Sequence, residues 1–444
     1  MEKYDVVIIG GGTAGCACAY NCGKLGLKTL LIEKNGCLGG TMSSGLVIPL
    51  MATGNNMINT DFYKKLISEM KDAAAQVTYQ NNPGWFNPEL LKIILDKMLT
   101  GAGVKILFNT NITNANISDN KILSLGFHAD SNRKVLSVNT DTIYTNNNKI
   151  CDCEDTKTLS VYIDTRYVVD ATGNLDFCQG INCDFLENSR SFPPMSLRFI
   201  VGGVDLKSFS DWLLQVDNDR NVTTVEIIDG QIHLSTAYTW DADKHWALTK
   251  YFDSGVAENI LKDTDRNYFQ IFTIAGMPNS IAFNCPRIVE DLNPNLSTDV
   301  SRALIEARQA ILRIHDFCKK YFPGFDNSFI SNISDQIGIR SSNRIKGKYV
   351  YSIEDLRAGR IFENPVLISN YPVDVHSNAK NESILDQNGT YQLPIESWMS
   401  SNYDNLFVVG RGISADELSQ GALRVQANCF SMGEAVAKYI KKII

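Results

Sequence analysis

Tyr4-Asp5-Val6-Val7-Ile8-Ile9-Gly10-Gly11-Gly12-Thr13-Ala14-Gly15, continued to Thr29-Leu30-Leu31-Ile32-Glu33-Lys34, is the stretch from which the rest of the chain is read. Asp5 to Ile9 is a short apolar run of the kind a buried parallel strand shows, and Gly10-x-Gly12-x-x-Gly15 follows with no spacer. From Ala14 to Leu25 the residues are mostly small, so a helix there can lie close to a sheet and aim its free N–H groups and dipole out of the turn, where an anion fits. A second strand, Thr29 to Ile32, ends at Glu33, whose carboxylate stands where a ribose diol takes two hydrogen bonds. Strand, glycine turn, helix, strand and acid together read as a dinucleotide half-site, although the motif alone does not choose between FAD and NAD.

At 444 residues the chain is long enough for two or three domains. Its net charge of −7 gives no general attraction to nucleic acid or to anionic lipid, so a small-molecule partner is favoured. Glu2 and Asp5 precede the N-terminal apolar stretch, glycines interrupt it, and no run approaches the roughly 20 apolar residues that cross a bilayer. A cytoplasmic protein with no membrane partner is expected. Its eleven cysteines, an odd number in a large chain without a secretion signal, read as reduced thiols.

Asn35 to Gly45 is turn-rich, and Gly39-Gly40-Thr41 would let backbone approach a flat ligand closely. Cys37 has Met42, not a second cysteine, where flavin disulfide reductases place the partner thiol, and reads as a structural or merely nearby thiol. Helical periodicity covers Asp61 to Gln76. Asn87-Pro88-Glu89 opens another helix that runs to about Thr100, and Val104 to Phe108 is a strand. From Ile112 to Ile163 the pattern is polar and β-rich, with Asn139 to Lys157 a surface hairpin or loop. Cys151 and Cys153 within it lack two further ligands for a metal site, so none is expected. Tyr167 to Gly173 and Leu406 to Gly412 are two further strands delivering glycine-bearing turns to one sheet edge, where open α/β sheets hold ligands. Between them, Phe192 to about Asn388 reads as a second domain with a long helix from Thr298 to Tyr321 and no second GxGxxG.

These stretches resemble the FAD-dependent oxidoreductases of the glutathione-reductase-like superfamily, and the flavin domain of heterodisulfide reductase. The likeness is carried by Gly10 to Gly15 with Glu33, by Gly39-Gly40-Thr41, by Val169 to Gly173, by Gly338 to Gly347, by Tyr371-Pro-Val-Asp-Val-His376, and by Asn405 to Glu434 with its "GRCIS…G…RV…C…MG" pattern. Two departures stand out: Asn174-Leu175-Asp176 replaces Asp-Gly-Asp, and Ala435-Val436-Ala437 replaces Ala-Ala-Gly.

The resemblance implies an α/β fold: a Rossmann-like FAD-binding domain of the glutathione-reductase type, parallel sheet plus β-meander, from residues 1–191 and 389–444, with an inserted β-rich α+β substrate domain over 192–388. It implies non-covalent FAD held at Gly10, Gly12, Thr13, Ala14 and Gly15, with Glu33, beside Lys34, on the adenosine ribose and Ile112 on adenine. Gly39, Gly40 and Thr41 would run beneath the ring, Ala171, Thr172 and Gly173 would pass close to the cofactor, and Gly410-Arg411 would close over the pyrophosphate. A final helix beginning around Arg424 to Ala427, with Arg424, Val425 and Gln426 at the cofactor, would point N–H groups at flavin N1 and O2, where reduction leaves negative charge.

For chemistry, His376 is the acid/base candidate. Asp374, two residues earlier, projects from the same face of a strand and could orient or charge the imidazole. Arg340 offers a planar fork for a carboxylate, Arg344 reads as a salt-bridge residue, and Cys429 as packing. The expected function is hydride transfer between flavin N5 and a small polar organic substrate. The rival is a flavin protein that relays electrons within a larger redox complex; a flavoprotein that modifies RNA fits the acidic charge poorly. Substrate, electron acceptor or donor, and oligomeric state, a homo-oligomer included, stay open.

Overall fold

The computed structural model describes residues 2–51, 57–129, 159–188, 192–239, 246–376, 381–383 and 389–444. The surface loop expected from Asn139 to Lys157, with Cys151 and Cys153, lies outside them.

The N-terminal strand Lys3–Ile9 runs parallel to Thr29–Ile32 on one side (Val6 opposite Thr29, Ile9 opposite Ile32) and to Leu159–Asp170 on the other (Ile9 opposite Asp170). Val6, Val7 and Ile8 are fully buried, as a strand covered on both faces requires. Lys105–Leu107 extends the sheet parallel to Thr29–Ile32. The long strand Leu159–Asp170 serves two partners on its other edge. Its first half pairs antiparallel with Lys121–Ala129, itself paired with Ile112–Ser118 to make a meander, and its last three residues pair parallel with Leu406–Val408. One chain end therefore completes the sheet begun by the other, and three parallel strands, Lys3–Ile9, Leu159–Asp170 and Leu406–Val408, finish at the same edge.

Helix Thr13–Lys24 packs on this sheet, and the closing helix Gln426–Ile443 packs on that helix. The crossing works because the facing residues are small. A Cβ at Gly433 would stand 2.2 Å from the Ala14 carbonyl oxygen and 2.8 Å from the Cys18 amide nitrogen. Pro88–Gly101 begins where expected, with Asn87 Oδ1 accepting from the amides of Glu89 and Leu90.

Asp61 to Gln76 is not one helix. It stops at Asp72, where Ala74, at φ 52°, donates to the Lys71 carbonyl and Ala75 donates to that of Met70, a left-handed stop built without glycine. Gln76–Tyr79 then pairs with Asn82–Phe86 as a hairpin the sequence did not announce.

A second, six-stranded antiparallel sheet lies wholly within residues 199–333: Thr223–Ile228, Gln231–Thr239, Tyr268–Ile274, Met277–Phe283, Phe199–Gly202 and Phe329–Ile333, in that order. Helix Ser297–Tyr321 covers one face through Ala303, Ala307, Ile311, Ile314 and Phe317. Beyond it the chain returns to the first core: Tyr351, Leu367 and Val373 pack in the same apolar cluster as Ala17 and Cys18, and Pro365–Ser369 pairs with Tyr391–Pro394. The same cluster also takes in Ile200, Phe272, Ile274 and Ala282 of the second sheet. Among the described residues no helix is long and apolar enough to cross a membrane, and the nine described cysteines are free thiols.

The tight helix crossing sets the first expectation. Gly433→Leu should destabilise the protein by about 3 kcal/mol or more, because backbone on the facing helix cannot yield. Gly101→Ala, with nothing within 4 Å of the added Cβ, should change stability by under about 1 kcal/mol. Urea denaturation followed by circular dichroism compares the two.

Candidate active site

Where the three parallel strands end, their turns press together. Gly10 adopts φ 103°, and a Cβ there would stand 2.6 Å from the Ala171 carbonyl oxygen, so only glycine fits between the first turn and the second. Gly15 closes the same junction from the helix side, its would-be Cβ 1.9 Å from the Gly10 carbonyl oxygen. Gly12 differs, since a Cβ there would meet nothing within 4 Å and its face opens into a cavity. The cavity, of about 510 Å³, lies in the size range of small-molecule sites, and its lining includes Glu33, Ile112, Tyr268 and Arg287.

Two helix N-termini open into it. Helix Thr13–Lys24 starts at Gly12 and helix Gln426–Ile443 at Val425, and no side chain caps either. Their first-turn N–H groups, with the positive dipole ends behind them, are therefore available to an acceptor in the cavity. Thr13, Ala14, Val425 and Gln426 all line the wall. Glu33, 5% exposed, is fixed: Oε2 accepts from the Gly11 amide at 2.6 Å and Oε1 from the Asn35 amide at 2.8 Å, each oxygen keeping lone-pair capacity for a further donor.

The second turn is held from beneath by Asp170. It is fully buried and accepts from the Thr172 amide, the Thr172 hydroxyl and the Cys178 amide, while burial pushes its carboxyl above the ordinary range. The third turn places Arg411 over it. A Cβ on Gly173 would stand 3.0 Å from the guanidinium, which donates to Asn174 Oδ1 and is pushed down to about 10, first by burial.

The departure at position 175 has a partner. Leu175 is fully buried at φ 63°, a conformation that disfavours a side chain, and it fills the space where a Cβ on Gly412 would stand, 2.5 Å from its Cδ2. Where the resembled pattern has glycine then cysteine at these two places, this chain has leucine then glycine, exchanging the volume across the contact.

Of the residues singled out in the sequence, Gly10, Gly12, Thr13, Ala14, Glu33 and Lys34 line the cavity. So do Gly40, Thr41, Ile112, Ala171, Thr172 and Gly173, and at the other turn Gly410, Arg411, Arg424, Val425 and Gln426. Gly15 and Gly39 stand behind the wall; Gly39 ties its loop to the first turn by donating to the Gly11 carbonyl at 2.8 Å. Arg340 reaches the wall, its Nη1 donating to Pro194 O and to Ser196 Oγ at 2.9 Å. Arg344 is 2% exposed and donates to the backbone carbonyls of Ala415 and Glu187, a structural role. Cys429 is buried and lines the cavity beside the helix start. Asp374 and His376 form the strand expected of them, paired with Asn381–Ser383; their side chains lie outside the described residues.

Sequence reading missed Arg198, Arg287, Tyr268 and Gln270, which also line the cavity. One signal was present. Arg198 stands alone among Met195-Ser196-Leu197 and Phe199-Ile200-Val201, where a buried charge needs a reason.

Parallel sheet, glycine turn at a helix N-terminus and a fixed carboxylate at the end of the second strand define a dinucleotide-binding protein of the Rossmann kind. The chain belongs to the FAD dependent oxidoreductase family, whose sequence model it matches over residues 5–441. The open face at Gly12 and the two uncapped N-termini fit FAD as its cofactor. Among curated proteins it is 34% identical over 107 residues to a glycerol 3-phosphate oxidase of Mycoplasma genitalium, covering 21% of this chain and 28% of that one. It is 36% identical over 115 residues to a mitochondrial dihydrolipoyl dehydrogenase of Caenorhabditis elegans, covering 25% and 21%. The matches thus span under a third of either relative. A solved geranylgeranyl bacteriochlorophyll reductase-like protein from Thermoplasma acidophilum aligns over 100% of this chain and 79% of its own at 13% identity and TM-score 0.46, too distant to inform the chemistry.

Glu33→Ala should lower FAD affinity by about tenfold or more, because it removes both the acceptor for a ribose and the acceptor that fixes the Gly11 amide. Titration of the apoprotein with FAD, followed by flavin fluorescence, measures it; unchanged affinity would remove Glu33 from the site.

Proposed function

We propose that this protein is a flavin-dependent dehydrogenase or reductase that exchanges a hydride between flavin N5 and a small polar organic substrate. The observation carrying this reading is that two uncapped helix N-termini, from opposite ends of the chain, open into one cavity whose lining also includes Arg198, Arg287, Arg340, Tyr268 and Gln270. Bound FAD supplies a ring that accepts or gives two electrons with a hydride, so the protein has only to position a substrate and manage a proton.

The parts divide along the cavity. Gly12, Thr13 and Ala14 bind the pyrophosphate through backbone N–H groups, with Gly10, whose own amide donates to the Ile32 carbonyl, shaping the turn and Arg411 adding charge from the third turn. Glu33 orients the adenosine ribose, with Lys34 beside it, and Ile112 packs near adenine. Gly40, Thr41 and the Ala171-Thr172-Gly173 turn shape the floor, and the amides at the start of helix Gln426–Ile443 favour negative charge at the flavin's pyrimidine edge. Residues 192–388 supply the substrate side, including Arg340. His376, on the strand Asp374–His376, moves the proton, with Asp374 orienting it.

Anaerobic addition of candidate reductants while following the flavin band near about 450 nm tests this reading; a compound that bleaches the band defines the substrate class. With that compound, His376→Ala should keep the yellow colour and slow bleaching by about a hundredfold or more. Unchanged bleaching would take His376 out of the mechanism, and no bleaching by any organic compound would contradict the dehydrogenase reading.

A further inference from the structure

One face of the second sheet changes character along its strands. Phe272, Ala282 and Ile200 stand side by side on Tyr268–Ile274, Met277–Phe283 and Phe199–Gly202, with Ala282 paired to both of the others, and all three are buried in the first apolar cluster. One rung further, the alternation of side chains puts Gln270, Asn284 and Arg198 on that same face, and the Asn284 amide donates to the Gln270 carbonyl at 2.9 Å. These three line the cavity, as does Tyr268, the next residue of its strand on that face. A row that is apolar against the core is followed by a row that is polar at the cavity.

Side-chain bonds join the polar row. Gln270 Oε1 accepts from the Tyr268 hydroxyl at 2.6 Å and from Asn284 Nδ2 at 2.5 Å, and Asn284 Nδ2 also donates to the Tyr268 hydroxyl oxygen at 3.3 Å. The Arg287 guanidinium lies over the Tyr268 ring, 3.4 Å from its centroid, and helps to fix the phenol. Both bonds to the Gln270 side chain fall on its oxygen, so the Nε2 N–H groups are the unused end of that amide. Asn284 shows the converse. Its Nδ2 is engaged, whereas its Oδ1 is buried with no hydrogen-bond partner. Neighbouring residues therefore offer one donor and one acceptor. Turning both amides over exchanges which residue supplies which, and leaves the same pair.

We infer that Gln270 and Asn284 form an amide subsite, and that the substrate of this flavoenzyme carries a C(=O)–NH group, as a carboxamide or a lactam. Such a group sets its carbonyl oxygen against the Gln270 N–H groups and its own N–H against Asn284 Oδ1, so both open ends are satisfied by one ligand. A carboxylate takes the donor but sets a second oxygen against the Asn284 acceptor, and a ketone leaves that acceptor bare. Tyr268 acts through Gln270: by occupying Oε1 it leaves the N–H end for the ligand.

The inference rests on the flavin reading, and calorimetric titration of the holoprotein separates the two. Benzamide is compared with acetophenone, which has its shape without the N–H groups, and with benzoate, which has its shape and a negative charge. The lactam 2-piperidone is compared with cyclohexanone. At least one amide should bind about tenfold or more tightly than each of its controls, the tighter amide deciding between carboxamide and lactam. Gln270→Leu and Asn284→Leu should each cut that preference to about threefold or less, while melting temperature and flavin absorbance show that each variant is folded and loaded. If neither amide is preferred over its controls, or if the preference survives undiminished in either folded variant, the subsite is overturned. Should neither variant fold, the ratios measured on the unaltered protein decide. A colourless preparation that still selects the amide would fail the flavin reading and keep the subsite; a yellow one indifferent to the amide N–H would do the reverse.

Discussion

The contact between Gly433 and the backbone of helix Thr13–Lys24 is the constraint on which the rest depends. Without a side chain at 433, with the Ala14 oxygen 2.2 Å from where its Cβ would be, the last helix lies directly on the first. Each begins at one cavity, so the dipoles of two helices from opposite ends of the sequence act on the same space. The sheet enforces the same convergence, because Leu406–Val408 adds to the far edge of the strand that pairs with Lys3–Ile9. Neither chain end can form its part of the site alone.

Charge is distributed along the cavity to match. At the glycine-turn end the acids are engaged: Glu33 by two amides, Asp170 by three donors below the wall, Asp176 by Lys34. Arg198, Arg287 and Arg340 line the same cavity. A dinucleotide held by the glycine turns would bring its own negative charge there. Glycine turns, helix starts and arginines thus line one continuous cavity, and an oxidoreductase has to bring cofactor and substrate together on one such surface.

Much of the cradle could be read from the sequence because it is local. Asp5 to Glu33 contains its strand, turn, helix and acid in order, and the apolar period and the glycines agree with each other. The C-terminal turn and helix were legible through their likeness to a known pattern. The helix from Asp61 was read too long because Ala73-Ala74-Ala75 offers no glycine or proline to mark its left-handed stop. Arg198, Arg287 and Arg340 were not read together, since they line one cavity only when separate stretches fold, and no spacing rule links them. Leu175 opposite Gly412 shows the same limit: the leucine looks like an isolated departure until the contact between them is seen.

The most direct measurement is the stoichiometry of FAD released from the purified, folded protein by acid or heat and quantified against protein concentration. One FAD per chain is the result expected if the three turns and two helix ends converge on a single dinucleotide. A folded protein that carries no FAD and takes up none on reconstitution would contradict it.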